Sequence, residues 1–150
     1  MKKILSLIII LCVMASLASC RPERDAYSML RELAATYGAE GIIYHPAATE
    51  GEEGFVYDGL LHKIYLYSGA FPEDYAILLN ARHDYSSECG VFICTDAEML
   101  GAVEAMCLER IALLCQNDSR AFVKRYGMTV FYSTMQDRER AEKIFNEIIR

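Results

Sequence analysis

The residues that could carry chemistry in this chain are four cysteines, three histidines and a short run of acids. Cys89, Cys94, Cys107 and Cys115 could form disulfides, bind a metal or exchange thiols. Their spacing argues against most of this. Cys89 and Cys94 stand five positions apart on one strand-like run, so they face opposite sides and are too distant to bond. Cys107 and Cys115 lie two turns apart on one helical run, roughly 12 Å in rise, and cannot bond each other either. Only cross pairs between strand and helix remain, and small apolar core residues are the favoured role. No CxxC occurs, which disfavours a thiol oxidoreductase, and no ligand pair has the close spacing of a zinc site. His45, His62 and His83 are scattered and form neither HxxxH nor HExxH. Arg82-His83-Asp84 places an acid beside a histidine, but triad members usually come from distant positions, so a solvated loop is expected there. Glu50-Gly51-Glu52-Glu53-Gly54 lacks the alternating oxygen ligands of a calcium loop and the lysine of a phosphate loop. No cofactor and no metal is expected. No serine sits in a GxSxG elbow. Six tyrosines crowd the middle third (Tyr44, Tyr57, Tyr65, Tyr67, Tyr75 and Tyr85), where core packing and a binding surface explain them equally well.

The strongest motif is at the start. Met1-Lys2-Lys3 is positive, and Ile4 to Ala15 is apolar except for Ser6. That run is shorter than the ~20 residues that span a bilayer and fits the core of a secretory signal. It is followed by Leu17-Ala18-Ser19-Cys20, which resembles the lipobox of bacterial lipoproteins. Small residues let a peptidase close around the extended backbone, and the cysteine thiol accepts a diacylglycerol. The resemblance implies cleavage before Cys20 and lipid attachment to it, whereas ordinary signal cleavage or an uncleaved anchor would make no use of that thiol. Two acyl chains give stable anchoring where one does not. The implied organisation is a cleaved signal over 1–19, a lipidated end and short linker over 20–22, and one domain over 23–150. The protein would then sit on the extracytoplasmic face of the cell membrane.

Composition agrees with a folded domain behind a leader. The chain is 53% apolar and carries a formal charge of −6. Residues 1–19 hold fourteen apolar residues, and losing Lys2 and Lys3 with them leaves −8. What remains has enough apolar material to offset chain entropy. An acidic balance disfavours nucleic acid as a partner, because phosphate neutralisation needs a basic face. It also gives no attraction to anionic lipid, so any membrane association rests on the anchor.

The elements that would position these residues follow from periodicity. Residues 23–37 repeat apolar positions at three- and four-residue steps and end at Gly38, which predicts a helix. Residues 38–59 are rich in glycine and acid and read as loop, with short strands at 41–44 and 55–57. Leu60–Tyr67 favours a short helix. Tyr75–Ala81 and Gly90–Thr95 read as antiparallel strands, apolar on both faces and therefore covered on both. Thr95-Asp96-Ala97-Glu98 has capping-box form and opens a helix running to about Gln116, with Leu100, Val103, Cys107, Ile111 and Leu114 inward. A short helix over Ser119–Tyr126, a strand over Met128–Ser133, a cap at Ser133 or Thr134 and a helix over Gln136–Arg150 complete the chain. Strand, strand, helix, strand, helix from residue 75 predicts an α+β domain, a small antiparallel or mixed sheet with helices packed on it.

With Asp74–Leu114 in that order, and Glu88-Cys89-Gly90-Val91-Phe92-Ile93 and Met106-Cys107-Leu108-Glu109-Arg110-Ile111 within it, residues 57–150 resemble a group of small, uncharacterised lipoproteins of Gram-positive bacteria that share a domain of unknown function. In that group a glutamate opens the second strand and an arginine stands late in the helix. The resemblance implies that Glu88 and Arg110 fill those places, and it brings no activity with it. Three functions follow as expectations. The first is a lipid-anchored binding or interaction module, with an envelope protein as its partner. The second is an envelope enzyme using Glu88, Arg110 or His83 in a cleft, which their convergence would favour. The third is an accessory or inhibitory subunit, which an exposed apolar patch would favour.

Overall fold

A computed structural model describes residues 24–80, 88–115 and 120–150 of the chain, with the side chain of Cys115 excepted. Leu17, Ala18, Ser19, Cys20 and His83 lie outside the described residues, as does the expected helix end at Asn117 and Asp118.

The first helix, α1 (Ala26–Tyr37), starts where two carboxylates meet its free N–H groups. The Asp25 side chain accepts from Ser28 N at 2.6 Å, and Asp74 Oδ1 accepts from Ala26 N at 3.0 Å. Such acceptors satisfy donors that no helical carbonyl can reach. At the other end Gly38 takes φ +80° and returns its N–H to Ala34 O. The left-handed turn there suits a residue without Cβ. A three-residue strand, β1 (Ile42–Tyr44), and a short helix, α2 (Leu60–Tyr65), follow. Residues 55–57, expected as a strand, take no regular structure. Phe55 and Tyr57 instead close turns, through Phe55 N to Glu52 O and Leu60 N to Tyr57 O.

Two longer strands, β2 (Asp74–Leu79) and β3 (Cys89–Ile93), pair antiparallel, with Ile77 opposite Gly90. Then comes the long helix α3 (Ala97–Cys115). Its cap is Asp96, whose Oδ1 accepts from Met99 N at 2.8 Å, while Thr95 Oγ1 donates to the other Asp96 oxygen. The expected capping box, with Thr95 as cap and Glu98 reaching back, is therefore replaced by a single aspartate one residue later.

The largest departure from expectation is at residues 119–126. Phe122–Tyr126 forms a strand, β4, not a helix. It pairs antiparallel with β5 (Thr129–Ser133) around the two-residue turn Gly127-Met128, where Gly127 has φ +60°. A glycine first in a two-residue hairpin loop matches the right-handed twist of both strands, so it reverses the chain where a helix end was expected. The last helix, α4 (Arg138–Ile148), is capped by Asp137, which accepts from Arg140 N at 3.0 Å. Ser133 and Thr134, the expected caps, are buried and bonded elsewhere.

The five strands make one antiparallel sheet in the order β1-β2-β3-β5-β4. The fold is α+β, with helices on both faces. Ala76, Leu78, Cys89, Val91 and Phe131 point to one face and pack under α1 and α4. Tyr75, Ile77, Phe92, Val130 and Tyr132 point to the other and pack under α2 and α3. Alternate residues of a strand face opposite ways, so covering both faces requires the nearly continuous apolar runs seen in the sequence. Cys89 belongs to the first face, while Cys94 and Cys107 belong to the second; all three are free and buried. No described helix is long and apolar enough to cross a membrane.

Candidate functional site

Glu88 directly precedes β3 and shares the strand alternation that turns Phe92 towards α2 and α3. Its backbone is locked first. Glu88 N donates to Thr134 Oγ1 at 2.9 Å, and Thr134 N donates to Glu88 O at 2.8 Å, which extends the β3–β5 ladder by one step. The side chain is then driven inward, where it is only 1% exposed. A carboxylate there requires charge-assisted partners, because an unpaired buried charge costs several kcal/mol or more.

Those partners come from α3 and β5, and α2 braces them in turn. Arg110 stands on the inward stripe of α3 with Val103, Met106 and Cys107, three to seven residues along the helix. Its Nε donates to Glu88 Oε1 at 2.9 Å and its Nη2 to Oε2 at 2.7 Å, a two-pronged pair. Its Nη1 donates to the Ile64 carbonyl of α2 at 2.6 Å. Tyr132 on β5 donates its hydroxyl to Glu88 Oε1 at 2.7 Å, and the Tyr65 and Tyr132 hydroxyls meet at 2.7 Å. The Tyr132 ring fits because residue 90 opposite it is glycine; a Cβ there would stand 2.5 Å from Tyr132 Cε1.

Burial sets the ionisation of this network. It pushes the Tyr65 and Tyr132 phenols well above their ordinary range, and the Glu88 charge adds to the effect. Both phenols therefore stay neutral donors. Burial opposes the Arg110 charge, but the hydrogen bonds and charge of Glu88 outweigh it and hold the guanidinium above its usual value.

Beside this network lies a cleft of about 420 Å³ between α2 and the end of the sheet. Leu60, Ile64 and Leu79 form apolar walls, Tyr44 and Tyr57 add aromatic ones, and Glu88 and Arg110 lie at its base. Lys63 lines it too, with Nζ 5.6 Å from the centre of the Tyr57 ring.

The structure thus brings Glu88 and Arg110 together as an ion pair beside the cleft, with Glu88 buried and Arg110 partly so. His45 and His62 serve other places. The His45 ring lies against Tyr27, tilted by 31° with ring centres 4.0 Å apart, and His62 bonds the Tyr67 carbonyl. Tyr132 and Lys63 were missed as site residues, whereas Tyr44, Tyr57 and Tyr65 belong to the tyrosine cluster that the sequence points to. A glutamate opening an apolar strand was the available signal, for it demands buried donors, and the glycine two residues later marks space for a large ring across the ladder. Compared with known protein families, curated proteins and solved structures, the chain matches none.

Proposed function

We propose that this chain is an extracytoplasmic lipoprotein, held at the cell membrane by lipid on Cys20, and that its folded domain is a binding or interaction module. The single observation that carries the anchor is Leu17-Ala18-Ser19-Cys20 placed directly after a short apolar run. Only Arg21, Pro22 and Glu23 separate Cys20 from the described residues, so the domain would stand close to the bilayer.

The module reading draws on the state of the Glu88–Arg110 pair. Both carboxylate oxygens are engaged by Arg110, and one also accepts from Tyr132. A general acid or base needs an oxygen within reach of a substrate proton, and this one is committed to the fold. The open cleft beside it offers walls for recognition instead.

The anchor is tested by growing cells with radioactive fatty acid. The wild-type chain should take up label and Cys20→Ala should not; label on the variant would overturn the assignment. The module is tested by crosslinking in intact cells and recovery of the full chain. Repeated recovery of one envelope protein with wild type, and its loss with Cys20→Ala, is the expected result. Repeated recovery of none would count against a protein partner.

A further inference from the structure

The cleft between α2 and the sheet has a definite chemical character. Its lining carries three charges, Lys63, Arg110 and Glu88. Arg110 and Glu88 neutralise each other through two hydrogen bonds. Lys63 has no carboxylate within ion-pair distance among the described residues; its ammonium faces the Tyr57 ring instead. The described lining is therefore net positive, on a chain whose formal charge is −6. Of the remaining lining, Leu60, Ile64 and Leu79 offer nothing polar from their side chains, Tyr44, Tyr57 and Asn80 add polar groups without charge, and Tyr57 is 49% exposed. Aromatic rings with one wet edge are typical of recognition surfaces. The volume, about 420 Å³, falls in the range of small-molecule sites.

Resting on the module reading above, we infer that this cleft binds a small amphiphilic anion. Its carboxylate or phosphate group would sit on Lys63, and its apolar or aromatic body would lie against Leu60, Ile64, Leu79 and Tyr57. The geometry divides the labour. The neutral Glu88–Arg110 base fixes α2 and α3 against the sheet, so the walls are held in place before any ligand arrives, and preorganised walls cost less on binding. Lys63 then selects by charge, and the apolar walls contribute through area removed from water. The anionic group could belong to a free acid or to the head of an anionic lipid, since the module would lie near a bilayer.

Photolabelling of the full chain in isolated membranes with 4-benzoylbenzoate, an aromatic carboxylate, tests this. Label should map to peptides containing Tyr57, Leu60, Ile64 or Leu79. The neutral 4-benzoylbenzamide should label the cleft more weakly. Lys63→Glu should reduce labelling about tenfold or more, the size of one lost charge-assisted contact, and Lys63→Arg should retain it. An unchanged thermal midpoint shows that Lys63→Glu still folds. Competition by octanoate identifies a free acid, and competition only by phosphatidylglycerol vesicles identifies a lipid head; either supports the inference. Label spread over the chain, equal labelling of Lys63→Glu, equal labelling by the amide, or competition by neither would overturn it. Cleft labelling of Cys20→Ala should persist, so a failed anchor and a failed cleft are read separately.

Discussion

Removing one member of the Glu88–Arg110 pair and removing both are different perturbations. Arg110→Met leaves a carboxylate buried with only Tyr132 to serve it, and should cost about 3–5 kcal/mol in urea unfolding. Replacing Glu88 and Arg110 together by methionine should cost much less, because no orphaned charge remains. Tyr132→Phe removes two hydrogen bonds, one to the charged Glu88 acceptor and one with Tyr65, and should cost at least about 1.5–3 kcal/mol; Tyr65→Phe removes only the neutral one and should cost about 0.5–1.5 kcal/mol. A Tyr65→Phe effect larger than that of Tyr132→Phe would show that the chain of bonds runs differently. The same network predicts alkaline behaviour. Tyr65, Tyr132, Cys89 and Cys107 are all pushed above their ordinary ranges by burial. The native state then holds protons that the unfolded chain releases. Stability is fully present below the unfolded thiol and phenol values, about 8.5 and 10, and falls as pH rises past them. Urea midpoints should therefore decline from about pH 9 upward, and replacing Cys89, Cys94 and Cys107 together by serine, since burial raises the Cys94 thiol as well, should delay the onset towards about pH 10. At this scale the sequence was half legible. Glu88 and Arg110 were named through a resemblance, but their mutual contact was not, because a spacing of 22 residues between a strand and a helix says nothing about docking. Tyr132 was lost among ten tyrosines for the same reason.

Elements were more legible than contacts wherever hydrophobic period and punctuation agreed. Residues 26–37 and 138–148 show both a helical stripe and a defined end, and both are helices. Residues 122–126 show how the reading fails. Phe122, Val123 and Tyr126 suit a strand, whereas Lys124 and Arg125 interrupt its alternation and mimic the polar face of a helix. Those charges are there because β4 is the sheet edge. Lys124 pairs with Glu142 of α4, and Arg125 pairs with Glu104 of α3, so one strand contacts helices on both faces. Charged edge residues also discourage pairing with another chain. Tertiary placement, absent from a local window, decided the element. The turn gives a direct check. A Cβ at Gly127 would meet nothing within 4 Å, so any loss in Gly127→Ala is backbone strain at φ +60° and not a clash. It should cost about 1 kcal/mol in thermal or urea unfolding. Gly90→Ala, where the clash with Tyr132 is direct, should cost more, about 1–3 kcal/mol.

For the molecule as a whole, charge and the proposed anchor would divide the work of localisation. The proposed mature chain carries −8 and has no electrostatic reason to adhere to an anionic surface. Membrane residence would then rest on the two acyl chains proposed at Cys20, which salt does not release. The sheet holds the fold between two helical layers, and the Glu88 network is the place where strand, strand, α2 and α3 are tied together. The ties span 22, 44, 46 and 67 residues of chain. Such closures cannot form early, because each needs the sheet and both helices already docked before water can leave the carboxylate. The pair is therefore expected to close late in folding, after the sheet and both helices have docked. Its free energy should appear almost wholly in the rate of unfolding. In stopped-flow measurements Arg110→Met should refold at nearly the wild-type rate while unfolding about two to four orders of magnitude faster. An equal slowing of refolding would place the pair in the nucleus instead. If unfolding alone responds, one buried glutamate sets the lifetime of the native state, and not merely its population.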